Sequence, residues 1–258
     1  MIHSRLIALI MPSLLSASHA TAQTPTISIA APEYWCPYAC SAQDELQGFA
    51  IEITRAAFKA VNIEVIYSNK PYDRALAEVK LGKIDGVVPT FKDEAPDFIY
   101  PQKSISSTQY CFYTLNSKWR YSGVDSIKGT EFGVTSGYAY SPEMDIFINN
   151  NKGQQVQVLH GEDIPKRMYQ MVKNNRFHAF LEDTRLIDFL VETRSIGRDL
   201  KRSGCIDIIN HGFLALSPAN KVRSTYLSKQ FDKGLLAISL KNIPKIILKK
   251  YGIKDHSK

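Results

Sequence analysis

The segment IEVIYSNKPYDRALAEVKLGKIDGVV, Ile63 to Val88, decides the fold. Its opening, Ile63-Glu-Val-Ile-Tyr67, is rich in β-branched and aromatic residues and reads as a strand. Tyr72 to Leu81 carries Leu76 and Val79 three apart, with Gly82 as a stop, so it reads as a helix with one apolar side. Ile84-Asp-Gly-Val-Val88 is a short buried-type strand. Two strands joined through a helix pair in parallel, because only a crossover returns the chain to the same end of the sheet.

The same alternation extends in both directions. Upstream, Thr26 to Ala30 alternates as a strand, and after a polar, aromatic loop from Pro32 to Gln47, Gly48 opens a helix from Phe49 to Val61. Downstream the rhythm restarts. Gln109 to Leu115, Glu131 to Thr135, Val156 to Leu159 and Phe177 to Leu181 read as strands. Glu143 to Asn149, Glu162 to Lys173 and Thr184 to Thr193 read as helices, the first with Ser141-Pro142 as N-cap and first-turn proline. Cys205 to Ile209 and Gly212 to Leu216 read as strands, and Val222 to Leu236 and Ile243 to Tyr251 as closing helices. The expected architecture is α/β in two lobes. Residues 23–107 and 212–258 form lobe 1 and residues 108–211 form lobe 2, with two hinge crossings between them.

The first 22 residues set the compartment. Arg5 precedes an apolar stretch from Leu6 to Leu15, and Ser18-His19-Ala20 and Ala20-Thr21-Ala22 both have the small-x-small form of a cleavage site. This is the order of a secretory signal peptide, and the apolar stretch is too short to span a bilayer. Cleavage after Ala20 or Ala22 fits equally. The expected product is a free periplasmic protein of about 236 residues from the 258.

The net charge of +7 becomes +6 without Arg5, with the excess concentrated at Lys241, Lys245, Lys249, Lys250, Lys254 and Lys258. These lysines stand singly among Ile and Leu, as on the wet face of a helix. That spacing and the export signal argue against a nucleic-acid partner. Four cysteines in an oxidising compartment permit three pairings. Cys36 with Cys40 and Cys111 with Cys205 is favoured, since Cys36 and Cys40 bracket the short turn Pro37-Tyr38-Ala39; buried free thiols are the alternative. The six histidines are scattered and none lies at ligand spacing from a cysteine, so neither a metal nor a cofactor is expected.

Phosphate-loop, zinc-protease and nucleophile-elbow motifs are all missing; Gly133-Val-Thr-Ser-Gly137 lacks the elbow spacing. Polar and aromatic residues instead gather where strands end, the place ligands occupy in open α/β sheets. Trp35 and Tyr38 follow the first strand. Tyr72 and Arg74 stand at a strand-to-helix junction, as an aromatic wall and a partner for a ligand carboxylate. Thr90 and Lys92 follow the strand ending at Val88. Ser136, Gly137 and Tyr138 offer backbone N–H groups to an anion, and Asp183 offers a carboxylate to an ammonium group. Against each stands a structural reading: packed aromatics, solvated helix charges, a surface loop, and an N-cap for the helix at Thr184. An anion end facing a cation end suits a zwitterion such as an amino acid.

Several stretches in order resemble the bacterial extracellular solute-binding proteins of family 3. These are Trp35-Cys-Pro-Tyr38, then Gly48-Phe49 with Glu52, Pro71-Tyr-Asp-Arg-Ala75 and Leu81-Gly-Lys-Ile-Asp-Gly86. They continue with K-G-T-E-F-G-V-T-S-G at 128–137, R-F-H-A-F-L-E-D at 176–183, G-F-L-A-L-S-P at 212–218 and I-L-K-K-Y-G at 247–252. The resemblance implies a two-lobed clamp that captures a small polar ligand, works as a monomer and docks on a membrane ABC permease. It implies Trp35 and Tyr72 as the aromatic flanks, residues 135–138 as the carboxylate cradle and Asp183 as the ammonium anchor. The sequence departs from the family at Pro89-Thr-Phe-Lys-Asp-Glu-Ala-Pro-Asp-Phe98, which lacks the arginine that clamps a ligand carboxylate. Lys92 and Arg74 are the substitutes at hand, though lysine lacks the forked guanidinium. Two rivals to importer service remain. One is a dehydratase-like periplasmic enzyme using Glu182, Asp183 or His178. The other is a ligand-sensing partner of a membrane receptor.

Overall fold

The computed structural model describes residues 24–32, 35–116, 118–161 and 163–253. The segment read as a signal peptide, Tyr34, Glu162, Lys254 and Lys258 lie outside the described residues.

The segment around residues 63–88 forms β2 (Glu64–Asn69), α2 (Tyr72–Lys80) and β3 (Gly86–Thr90). β1 (Thr26–Ala31) lies between β2 and β3 and is parallel to both. In β2 only Val65 and Tyr67 face the core, as expected of an edge strand, whereas every residue of β3 is buried. α1 (Phe49–Lys59) crosses from β1 to β2.

Two further strands complete the first sheet: β4 (Ser106–Thr108) and β10 (Asn210–Leu216), the latter antiparallel to both β3 and β4. The order is β2-β1-β3-β10-β4. The second sheet contains β5 (Tyr110–Thr114), β6 (Phe132–Thr135), β7 (Val156–Leu159), β8 (Ala179–Asp183) and β9 (Lys201–Cys205). Its order is β7-β6-β8-β5-β9, with β6 parallel to β7 and β8, and β5 antiparallel to β8 and β9. Each sheet therefore repeats one plan, a parallel trio flanked by an antiparallel strand next to a crossing. The chain passes between sheets at Gln109 and again at residues 206–209. Helices α3 (Pro142–Asn151), α4 (Ile164–Lys173) and α5 (Thr184–Glu192) cover the second sheet. α6 (Lys221–Ser239) and α7 (Ile243–Lys250) return to the first. This is the two-lobed α/β architecture expected from the sequence.

Local corrections are few. The strand expected at 205–209 lies at 201–205. Its residues Lys201, Arg202 and Gly204 carry no apolar pattern, because it is a half-exposed edge held by pairing with β5. The strand expected at 177–181 is displaced to 179–183, so Asp183 is its last residue rather than a loop residue. β4, three residues long, gave no periodic signal.

The closing helices are pinned to α1 by polar contacts within the motifs that carry the resemblance. Tyr251 Oη accepts from Gly48 N at 2.7 Å and donates to Glu52 Oε1 at 2.5 Å, and Lys250 pairs with Glu52 at 2.8 Å. Asp85 accepts from Ser28 N and Oγ and from Arg223 at 2.6 Å, fixing α6 to the base of the sheet. α6 approaches α1 so closely that a Cβ on Gly234 would stand 1.9 Å from the Ala57 carbonyl oxygen. Backbone cannot yield as a side-chain tip can, so Gly234→Ala is expected to cost about 3 kcal/mol. Chemical denaturation checks this; an unchanged midpoint would contradict the close packing.

Candidate functional site

A cavity of about 730 Å³ opens between the lobes. Most of its lining follows the C-terminal ends of parallel strands, after β1, β2 and β3 in the first sheet and β6, β7 and β8 in the second, with Tyr110 of β5 and Ser195 beyond α5 added. Those ends converge because both sheets share one topology and face each other across the crossings. A more open depression of about 510 Å³ near Arg194 and Arg198 draws on one lobe alone, so nothing could close over a molecule there.

Trp35 forms one wall. Its ring stacks on Tyr38 at 5.1 Å and meets Phe91 edge-on at 6.2 Å. The turn that carries it is tight: Tyr38 N and Ala39 N both donate to the Trp35 carbonyl, and the Cys36–Cys40 disulfide closes it. Tyr72, at the start of α2, also lines the cavity and donates its hydroxyl to Glu94 Oε2 at 2.5 Å. Phe91 N donates to the same oxygen at 3.2 Å. Burial raises the pKa of Glu94, with the neighbouring Asp93 charge acting in the same direction and these two hydrogen bonds opposing it. From the second lobe come Ser136, Gly137 and Tyr138, with Tyr110 behind Tyr138 at 5.9 Å between ring centroids.

The other expected site residues do not line the cavity. Tyr38 is fully buried beneath Trp35. Arg74 points outward, 68 % exposed, and pairs with Glu78 one helical turn on. The Lys92 ammonium lies 4.3 Å from the Phe213 ring centroid, and the attraction of a cation for an aromatic face holds it there. Thr90 is the buried end of β3; its Oγ1 makes no well-formed hydrogen bond, with the Tyr72 hydroxyl nearby.

Asp183 is committed to the fold. Its Oδ1 accepts from Leu186 N at 2.9 Å, capping α5, and both its oxygens lie 3.0 Å from the Tyr38 hydroxyl of the other lobe. Burial drives its pKa up to about 6, against these hydrogen bonds and the nearby Arg185. Glu182, also fully buried, accepts from Asp183 N at 2.8 Å and from Thr135 Oγ1 at 3.0 Å. Burial pushes it up to about 8. His178 faces Trp119 at the opposite end of β8, away from the cavity. The cradle is also partly spent: Thr135 N donates to Tyr140 Oη at 2.8 Å and Ser136 N to the Leu159 carbonyl at 2.9 Å.

Residues that sequence reasoning missed complete the lining. Phe91 and Glu94 sit in the very segment whose Thr90 and Lys92 drew attention. Thr90 still belongs to the strand, so the first loop side chain free to reach the cavity is its successor. Asp73, His160, Asp163, Lys166 and Phe189 line it too, and Lys166 pairs with Asp163 at 2.9 Å. Leu186 and Phe189, one turn apart on α5, carried a readable i, i+3 signal. Among the described residues no arginine lines the cavity and no cluster suits a metal ion.

No protein-family model matches this sequence, and no curated protein matches it. Solved structures do share its fold. The probable extracellular-binding protein of an amino-acid ABC transporter from Bacillus subtilis superposes with a TM-score of 0.70 at 15 % identity, covering 89 % of this chain and 98 % of its own. The L-cystine solute receptor of Neisseria gonorrhoeae, unliganded and open, gives 0.67 at 16 %, covering 92 % and 96 %. A histidine kinase sensor domain similar to periplasmic binding proteins gives 0.66 at 13 %, covering 88 % and 95 %. The fold is that of the periplasmic binding proteins. No helix among the described residues is long and apolar enough to cross a membrane.

Proposed function

We propose that this chain is a periplasmic solute-binding protein of the family 3 type, which captures a small polar molecule between its lobes and passes it to a membrane ABC permease. The observation that carries this reading is the inter-lobe cavity, whose volume lies within the range of small-molecule sites and whose walls come from both sheets. Trp35, Tyr72, Ser136, Gly137 and Tyr138 are its proposed contacts, and the protein acts as a monomer without catalytic chemistry. Lobe closure is favoured only by the contacts a ligand adds in the closed state, so both walls are needed. The likeness to amino-acid-binding proteins and ABC transporter substrate-binding domains supports a solute-binding role. The likeness to a histidine kinase sensor domain favours a second reading, in which the closed form signals to a membrane receptor.

Thermal denaturation across a library of polar metabolites tests the proposal. A ligand present at a hundred times its Kd adds about 2.7 kcal/mol, a rise of about 5 to 10 °C for a protein of this size. Trp35→Ala should abolish the shift. Silence across the library would count against solute binding.

A further inference from the structure

We propose that the cavity takes an organic cation with a flat ring rather than the zwitterionic head group of an α-amino acid. The proposal rests on the solute-binding reading and names the chemistry of its ligand.

Among the described residues, six Trp, Tyr and Phe rings line the cavity beside the His160 imidazole: Trp35, Tyr72 and Phe91 from the first lobe, Tyr110, Tyr138 and Phe189 from the second. Aromatic faces stack against flat groups and attract cations, most strongly where water is excluded. The charges on the lining have the same preference. Lys166, the one ammonium group among the described lining residues, and Asp163 neutralise each other in an ion pair, which leaves Asp73 and Glu94 as the acidic excess. Glu94 is held within the aromatic wall. One of its oxygens is fixed by Tyr72 and by Phe91 N, and the other takes no hydrogen bond from the described residues. A cation in this cavity would have the Trp35 and Tyr138 rings available, one from each lobe, together with this carboxylate of the first-lobe wall.

The groups that would hold an amino-acid head group are engaged elsewhere. Asp183 is closed off by Tyr38 and Leu186 N and is absent from the lining. Arg74 is tied to Glu78, and Lys92 sits over Phe213. Two N–H groups of the expected carboxylate cradle already have protein acceptors. Stripping water from a ligand carboxylate without giving it donors in return opposes binding.

The test is calorimetric titration of the wild type with probes that share a ring and differ in head group: tryptamine, L-tryptophan and indole-3-acetate, with benzyltrimethylammonium and 1-methylnicotinamide as further cations that carry a flat ring. At least one flat cation is expected to bind ten or more times more tightly than L-tryptophan, with indole-3-acetate silent. Glu94→Gln should weaken that cation about tenfold with the melting temperature nearly unchanged, and Trp35→Ala should remove binding. Tighter binding of L-tryptophan, of another α-amino acid or of indole-3-acetate would overturn the cation assignment and leave solute binding standing. An unchanged cation affinity in Glu94→Gln would also overturn the assignment. Silence from every cation and every amino acid would overturn both.

Discussion

Replacing Glu182 by glutamine should raise the melting temperature at pH 8 by about 10 °C and leave it almost unchanged at pH 4. Glu182 is fully buried at the end of β8, and its pKa rises from an ordinary 4.5 to about 8 in the fold, chiefly through burial. Between those values the unfolded chain releases a proton that the folded chain keeps. Stability therefore falls as pH rises through that window, with a slope approaching about 1.4 kcal/mol per pH unit. Below pH 4.5 both states are protonated and the penalty vanishes. Asp183 acts in the same sense over a lower window, from 3.8 to about 6, so the variant should keep a residual slope below pH 6. Asp85 acts oppositely. Burial raises its pKa, but Arg223 and Ser28 together hold it below the usual carboxylate range, so its stabilisation is lost on acidification. The glutamine amide can serve both existing partners, its oxygen accepting from Asp183 N and its nitrogen donating to Thr135 Oγ1. Thermal denaturation from pH 4 to 8 decides the matter; parallel curves for wild type and variant would refute the assignment.

Removing the Cys111–Cys205 disulfide is expected to be the most damaging covalent change. The bond joins β5 to β9 and closes a chain separation of 94 residues, nearly the whole second lobe. It lies just inside both crossings, so it fixes the two points at which that lobe meets the first. Loop-closure entropy puts its contribution near 4.7 kcal/mol, against about 2 kcal/mol for Cys36–Cys40, whose separation is only 4. Replacing each pair by alanine and comparing urea midpoints tests this. Equal losses, or a larger loss for Cys36–Cys40, would contradict the entropic account.

The fold was legible because its signals are local. The alternation of strand and helix from Ile63 to Val88 and its recurrence in the second half fixed two parallel units, and the motifs around Glu52 and Tyr251 turned out to be contacts between α1 and α7. What escaped was whatever depends on pairing rather than pattern, such as the polar edge strand β9 and the three-residue β4. The cavity was half legible. Trp35, Tyr72 and residues 136–138 follow strand ends, a rule of topology that the sequence carries. Whether a charged side chain faces the cavity or a neighbour is decided by packing. Arg74 found Glu78 on its own helix, Lys92 found an aromatic face and Asp183 found Tyr38 across the hinge. Of these partners only Glu78, four residues after Arg74 on one helix, could be read from spacing; those of Lys92 and Asp183 could not.

Native mass spectrometry tests the central claim most directly, with unrefolded wild type and Trp35→Ala incubated side by side in a small-molecule extract of the producing cells. The account predicts a single adduct of one small molecule per wild-type chain, released on activation and missing from the variant. A bare wild-type mass, or an adduct carried equally by both proteins, would mean that the space between the lobes is not a binding site.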